Sequence, residues 1–298
     1  MLRPIWTCRI PLAYVRFGIA LALGFGVATA AQASVVTYSG FASTTGLTLV
    51  GSAVTTTTTD GTVLRLTPAV GGESGAAYST SPVTLGSNDV FSTTFSFRFT
   101  NPSSPTPADG ITFVLAASPS GLGSSGQGLG YGGVTNSLAV EFDTYNNGSG
   151  DANSSNHIAI DTNGVLTDTA AAFPYGLQDC AGSGLGCMSN GDLWNVTIGY
   201  TGTDLSVAVQ DAGNPIDNII TAYPIDIATY LGTSAAYVGF TGSTGGSYEN
   251  QDIVAWSFAN TTQLAPDPVS EPPGVAVLGV GLLVLGVARR RRIFAAAP

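Results

Sequence analysis

Residues 138–160, LAVEFDTYNNGSGDANSSNHIAI, constrain this chain more than any other stretch. Their polarity alternates with period two, as in a β-strand with one buried face. Leu138, Val140 and Phe142 point to one side, and Glu141, Asp143, Tyr145 and Asn147 to the other. A Gly/Ser/Asn loop follows, carries Asp151, and ends at His157, the only histidine of the chain, where a second apolar strand begins. One sheet face therefore gathers two carboxylates and a carboxamide, and the loop can return a third carboxylate and an imidazole to them. Carboxylates at i and i+2 on one strand face repel each other, and a cation is the usual remedy. Asp143, the Tyr145 carbonyl, Asn147 and Asp151 form an oxygen-rich set suited to Ca²⁺. Glu141, Asp143, Asp151 and His157 suit a first-row transition ion such as Mn²⁺. Read without a cation, the same residues are a solvated strand face and an ordinary surface loop.

The stretch resembles the metal-binding segment of the L-type (legume-type) lectins, V-A-V-E-F-D-T-aromatic-x-N, then D, then H-I-G-I-D. Glu141, Phe142, Asp143, Thr144, Tyr145, Asn147, Asp151, His157, Ile158, Ile160 and Asp161 fill that pattern. Ala159 stands at the usual glycine, and the loop lacks the Trp-Asp-Pro of the plant proteins. Two further segments match in the family's order. Ala108-Asp109-Gly110 precedes the apolar strand 111–116, and YVGFTGSTGGSYENQDIVAWSF (237–258) resembles the closing motif G-F-S-A-x-T-G … W-S-F. Between them, GLGSSGQGLGYGG (121–133) is not a phosphate loop, because no Gly-Lys-Ser/Thr follows. It resembles the family's Gly-rich sugar-binding loop.

The resemblance implies a concanavalin-like jelly-roll β-sandwich of two antiparallel sheets over residues 34–262, binding Ca²⁺ and a transition ion, most simply Mn²⁺. It implies that Asp109, held by a cis peptide, and Asn147 hydrogen-bond a sugar. Gly128 would offer a backbone N–H, Tyr145 would stack on the sugar, and Gly246 and Ser247 would line the loop that selects the monosaccharide. Tyr131 is either a loop anchor or a sugar-facing ring. Trp256 reads as core among Ile253, Val254 and Phe258.

Away from the motifs the body also reads as strands. The 39 Gly, 16 Pro and many Thr and Ser favour strands and turns over helices. FSTTFSFRFT (91–100) places Phe91, Phe95, Phe97 and Phe99 on one face, a packing pattern. Trp194, Val196, Ile198 and Tyr200 alternate on a strand expected to form a hairpin with 205–209 across a turn at 201–204. Thr55–Thr59 reads as a solvent-facing strand or loop.

The two ends read as processing segments. Residues 1–33 combine Arg3, Arg9 and Arg16, an apolar run at 17–30 and Ala31-Gln32-Ala33, the layout of a secretory signal peptide. A retained membrane anchor is the alternative, although the run is short for a span. After a linker (263–270), residues 271–298 hold Glu271-Pro272-Pro273, an apolar run 274–288 and Arg289–Arg292. That order resembles the PEP-CTERM sorting tag of Gram-negative bacteria, with Ser270 in place of its first proline; a simple tail anchor has the same layout. The resemblance implies signal peptidase and an exosortase as processing partners, transient inner-membrane anchoring, and release to the cell surface or exopolysaccharide (biofilm) matrix.

Seven of nine arginines lie in those ends. The body keeps Arg65 and Arg98 against eighteen acids, a formal charge of about −16. Nucleic acid and anionic membrane surfaces need basic footprints and are excluded as partners. Cys180 and Cys187, with six residues between them, form an even pair that closes as a local disulfide in an oxidising compartment.

The residues therefore point to a metal-dependent carbohydrate-binding lectin, exported and not an enzyme, with oligomerisation or matrix display supplying avidity. A matrix protein that keeps the fold without sugar binding is the alternative. A glycoside hydrolase fits less well. Glu141-Phe142-Asp143 supplies half of a β-glucanase signature, but Tyr145 and Asn146 stand where its second acid belongs. A serine-hydrolase triad lacks its Gly-x-Ser-x-Gly elbow.

Overall fold

The computed structural model describes residues 35–261 except 86, 120 and 181–183. The expected signal peptide and sorting tag lie outside the described residues. Among the described residues no helix is long and apolar enough to cross a membrane.

The described chain is almost entirely strand: β1 (Val35–Tyr38), β2 (Leu47–Gly51), β3 (Val54–Thr58), β4 (Gly61–Thr67), β5 (Ser74–Ser79), β6 (Val83–Thr84), β7 (Phe91–Thr100) and β8 (Gly110–Ala116). Then come β9 (Ser137–Asp143), β10 (His157–Thr162), β11 (Val165–Ala172), β12 (Trp194–Tyr200), β13 (Asp204–Asp211) and β14 (Asp217–Pro224). A short helix α1 (Ile227–Leu231) precedes β15 (Ala235–Ser243) and β16 (Asn250–Ala259). One sheet runs β14-β13-β12-β7-β16-β4-β3, with β1 added on β16. The other runs β11-β10-β9-β8-β15-β5-β2, with β6 on β15. Every pairing is antiparallel. This is the expected two-sheet sandwich.

The core forms because each inner face follows the period-two pattern. Phe91, Phe95, Phe97 and Phe99 of β7 are all buried and meet Phe113, Phe142 and Phe240 of the opposite sheet. Phe95 lies edge-on to Phe142 at 5.5 Å and to Phe240 at 5.0 Å, and Phe97 stacks on Trp194 at 6.0 Å. Edge-on and offset contacts of this kind suit the ring quadrupoles. Truncating any one of these rings to alanine is expected to cost about 3–5 kcal/mol. Trp256 is core, as expected: it is buried and its Nε1–H donates to Thr93 Oγ1 at 3.0 Å.

The 194–200 strand pairs with β13 in the expected hairpin, Trp194 opposite Asp211. The threonine run becomes the edge strand β3. Cys180 and Cys187 are joined in a disulfide. Both body arginines are held in two-pronged ion pairs, Arg65 with Asp252 and Arg98 with Asp60. Neither is a free basic footprint. The strand reading of 138–147 runs too far. β9 ends at Asp143, and Tyr145 and Asn147 lie in the loop that follows, where Asp143 Oδ1 accepts from the Tyr145 N–H at 2.7 Å and turns the chain.

Candidate functional site

Sheet register brings the separated motifs together. Ser243 of β15 lies opposite Gly110 of β8, Gly110 opposite Asp143 of β9, and Asp143 opposite His157 of β10. One row across four strands therefore collects the starts or ends of all three motif segments. The outer face of the next rows carries Glu141 opposite Ala159, and Asp161 opposite Ala139. The two alanine methyls leave room beside the acids.

Asp109 sits at the head of β8 after a cis Ala108–Asp109 peptide bond, as the resemblance implied. Its N–H donates to Ser243 O at 3.1 Å, and its carbonyl accepts from Thr144 N at 2.8 Å. The backbone of Asp109 thus ties the end of β9 to the end of β15. Gly110 must be glycine. Its φ is +138°, and a Cβ there would lie 2.2 Å from Phe142 O. The Asp109 side chain is buried, and its Oδ2 has no hydrogen-bond partner among the described residues. Burial pushes the carboxyl up to about 7, Asp151's charge adds to this, and the Gly245 backbone offsets part of it. Gly245 lies alongside, close enough that a Cβ would stand 3.2 Å from Asp109 Oδ2.

The Gly-rich loop is pinned against the outer face of the second sheet. Thr241 Oγ1 donates to Leu129 O at 2.8 Å, and Ser243 Oγ donates to Gly126 O at 2.9 Å. Tyr131 is fully buried, bonded to Ser137 Oγ at 2.9 Å and accepting from Gly164 N at 3.1 Å. It anchors the loop and does not face a sugar. Gly128 is buried and its N–H is engaged by Ser125 O at 3.2 Å. Gly126, two residues earlier, approaches Gly245, the residue that lies alongside Asp109. Asn147 and Gly246 are exposed, and Tyr145 and Ser247 are half-buried. Ser247 Oγ bonds Thr106 Oγ1 at 3.1 Å. Asn147 also lines an open cleft of about 490 Å³ with Ser124, Gln127, Gly128 and Asp151.

The acid cluster lies beside this cleft. Glu141, Asp143, His157 and Asp161 are all buried. His157 Nε2 lies 3.2 Å from Glu141 Oε1. Asp151 is half-buried, and one of its carboxylate oxygens accepts from the Asn147 N–H, closing the loop on itself. Burial drives the Glu141 and Asp143 carboxyls well above the usual range, and neighbouring carboxylates add to it, first Asp168 for Glu141 and Glu141 for Asp143. Asp161 is pushed up to about 9 by burial and then by Glu141. Burial lowers the His157 imidazole, with Asp168 and Asp151 opposing. Buried acids that repel one another, beside an imidazole kept neutral, are a donor set for divalent cations. The buried Glu141 carboxylate and His157 imidazole, 3.2 Å apart, have the donor chemistry a transition ion takes.

Three supporting residues escaped sequence reading. Asp168 of β11 points at His157 Nε2 from 3.8 Å and completes a tight group with Glu141. Glu249 is fully buried beneath Asp109 and accepts from Thr144 Oγ1 at 2.8 Å. Asn156 is buried; its amide donates to Leu177 O and Gly186 O, and its Oδ1 accepts from Met188 N. It fastens the disulfide loop to the head of β10. A lone Asn before His carries no visible signal. Glu249 stood inside the closing motif.

Residues 33–273 match the family model described as the legume lectin domain. The chain is 30% identical over 191 residues to L-type lectin-domain containing receptor kinase VIII.1 of Arabidopsis thaliana, covering 61% of this chain and 26% of that protein. It is 31% identical over 186 residues to agglutinin-2 of Cladrastis kentukea, covering 58% of this chain and 59% of that protein. The chain thus spans about a quarter of the receptor kinase and under two thirds of the agglutinin. Among solved structures, basic winged bean lectin with Tn-antigen superposes with a TM-score of 0.63 at 26% identity, over 76% of this chain and 98% of that one. The Bauhinia forficata lectin in complex with GalNAc superposes equally well, at 0.63, with 24% identity over 76% of this chain and 97% of that one, a likeness of fold.

Proposed function

From the premise that the chain belongs to the legume lectin domain family, we propose that it binds carbohydrate in a metal-dependent way and catalyses no reaction. The observation that carries this reading is Oδ2 of Asp109: a buried carboxylate oxygen that makes no hydrogen bond among the described residues, although the Gly245 backbone lies beside the carboxyl. A buried acceptor left unpaired is costly, and sugar hydroxyls are donors of the right kind. Asp109 would accept from them and Asn147 would donate its amide. The Gly126–Gly128 turn would supply the backbone approach, Tyr145 would cover the apolar face of the ring, and Gly246 and Ser247 would border it. Glu141, Asp143, Asp151 and His157 would hold the transition ion, and Asp143, the Tyr145 carbonyl, Asn147 and Asp151 the Ca²⁺. The cations supply charge neutralisation and a fixed loop. A shallow single site of this kind is expected to bind at ~mM to high µM, about −4 to −6 kcal/mol.

The basic, apolar and Pro-containing terminal segments support export through the inner membrane to a bacterial surface or matrix. Signal peptidase and an exosortase would be the processing enzymes and exopolysaccharide or a glycoconjugate the ligand. The test is a glycan array on purified protein with Ca²⁺ and Mn²⁺, repeated after EDTA and with Asp109→Ala. Binding that disappears in both is the expected result. No binding under any condition, with a melting temperature that still falls in EDTA, would leave a metal-stabilised structural module and sink the lectin reading.

A further inference from the structure

The tight group in the acid cluster is not the set the motif supplies. It is Glu141, His157 and Asp168, whose donor atoms all lie within 4.8 Å of one another. Asp168 belongs to β11, outside the motif, and its side chain is 7% exposed. Its Oδ2 lies 3.8 Å from His157 Nε2, and no hydrogen-bond donor among the described residues reaches it. A buried carboxylate oxygen with no donor, aimed at an imidazole nitrogen and beside a second acid, asks for a cation between them. The spacing agrees: ligand atoms about 2.1 Å from a metal stand roughly 3 Å apart when adjacent. Glu141 Oε1 and His157 Nε2 are 3.2 Å apart, and Asp168 Oδ2 lies 3.8 Å from the same nitrogen.

The backbone shows how Asp168 comes to face inward. The β10–β11 register shifts twice, between Ile158 and Ile160 and between Ile160 and Thr162. Asp168 and Ala170 take positive φ, +49° and +57°. Such bulges re-aim side chains. The segment is also fastened, because Thr167 N–H donates to Asp161 Oδ1 at 2.7 Å.

We propose that Asp168 is a direct protein ligand of the transition-ion site, so that three strands, β9, β10 and β11, grip one ion. The inference rests on the metal part of the functional reading and adds a ligand to it. In a six-coordinate ion, Asp168 takes a place that water would otherwise fill. Together with Glu141, His157, Asp143 and Asp151 it leaves room for a single water.

The test uses the full chain loaded with Mn²⁺ alone. Coordinated waters are counted by pulsed electron paramagnetic resonance in ¹⁷O-water, and affinity is read by competition with a chelator. Asp168→Gly and Asp168→Asn both tolerate the positive φ. The wild type should show one coordinated water. Asp168→Gly should admit one more and weaken Mn²⁺ at least tenfold; because loss of an outer hydrogen-bonding partner alone costs about 10–100-fold, the added water is what identifies a direct ligand. Asp168→Asn should fall between. Two waters in the wild type would overturn the assignment without any variant. So would an affinity unchanged within twofold in a folded Asp168→Gly. A wild type that binds no Mn²⁺ would defeat both this inference and the metal-dependent reading, whereas binding that ignores Asp168 defeats this inference alone.

Discussion

Glu249→Gln should stabilise the protein at neutral pH although it removes a charge from beneath the site. Glu249 is fully buried, and burial pushes its carboxyl up to about 8, with the Ser189 and then the Thr144 hydroxyl offsetting part and Asp109 adding to it. Thr144 Oγ1 has one proton and faces two acceptors, Glu249 Oε1 at 2.8 Å and Asp109 O at 3.2 Å. A protonated Glu249 resolves this by donating to Thr144, which then donates to Asp109. The folded pKa lies above the unfolded value of 4.5. The stability of the glutamate protein is therefore fully present below pH 4.5 and declines as pH rises towards 8. At pH 7 the decline is about 2.5 pH units at 1.36 kcal/mol each, roughly 3 kcal/mol, and it levels at roughly 5 kcal/mol above pH 8. Glutamine has the same shape, donates without titrating, and escapes that decline. Urea denaturation of wild type and Glu249→Gln at pH 4, 5.5, 7 and 8.5 reads the difference. The gap should be near zero at pH 4 and widen with pH. A constant gap, or destabilisation that grows with pH, would refute the argument and show an ionised Glu249 held by a positive charge.

Asp109→Asn should behave likewise in stability, gaining roughly 4 kcal/mol at pH 7 because a carboxyl raised from 3.8 to about 7 is removed, while losing glycan binding; a variant that gains nothing and still binds would contradict both assignments. Gly245→Ala places a methyl 3.2 Å from Asp109 Oδ2. It should lower glycan affinity at least tenfold with a melting temperature close to wild type, as checked by calorimetry on the array-positive sugar. Adding Ca²⁺ and Mn²⁺ at about 100 times their dissociation constants should raise unfolding free energy by about 2.7 kcal/mol per site, reversibly with EDTA; no shift would mean that the acid cluster holds no ion.

The sandwich was legible because its signal is local. Alternating Phe in 91–100 and alternating Leu/Val/Phe in 138–142 need only a two-residue period to declare an inner face, and both inner faces are buried as that period requires. The motif residues Asp109, Glu141, Asp143 and His157 were legible for the same reason. Asp143 and His157 sit at strand ends and Asp109 just before one, where register alone brings Gly110, Asp143 and His157 into one row, with Glu141 two residues further in. What failed was local phase beyond the strands. Tyr145 and Asn147 were read onto the strand face, but hydrogen bonding to Asp143 ends β9 first. Gly128 was chosen in a loop where thirteen residues hold no periodic signal; it lines the cleft beside Asn147, while its N–H is engaged by Ser125 O.

Asp168 shows why electrostatic sites are harder to read than cores. In VLTDTAAA a strict alternation from Val165, which is exposed, would send Asp168 to the opposite side from Thr167, and nothing in the spacing says which side is metal and which is core. Two register shifts decide it, and these are set by long-range pairing with β10 rather than by residues 165–172 themselves. Once decided, the consequence is severe. Glu141, Asp143, Asp161 and Asp168 are four acids in one buried neighbourhood with no arginine or lysine among them, since both body arginines are bound elsewhere. Repulsion and desolvation act against the fold here. A fold that tolerates this arrangement has a counter-charge to gain from outside the chain, and the proposed divalent cations would supply it.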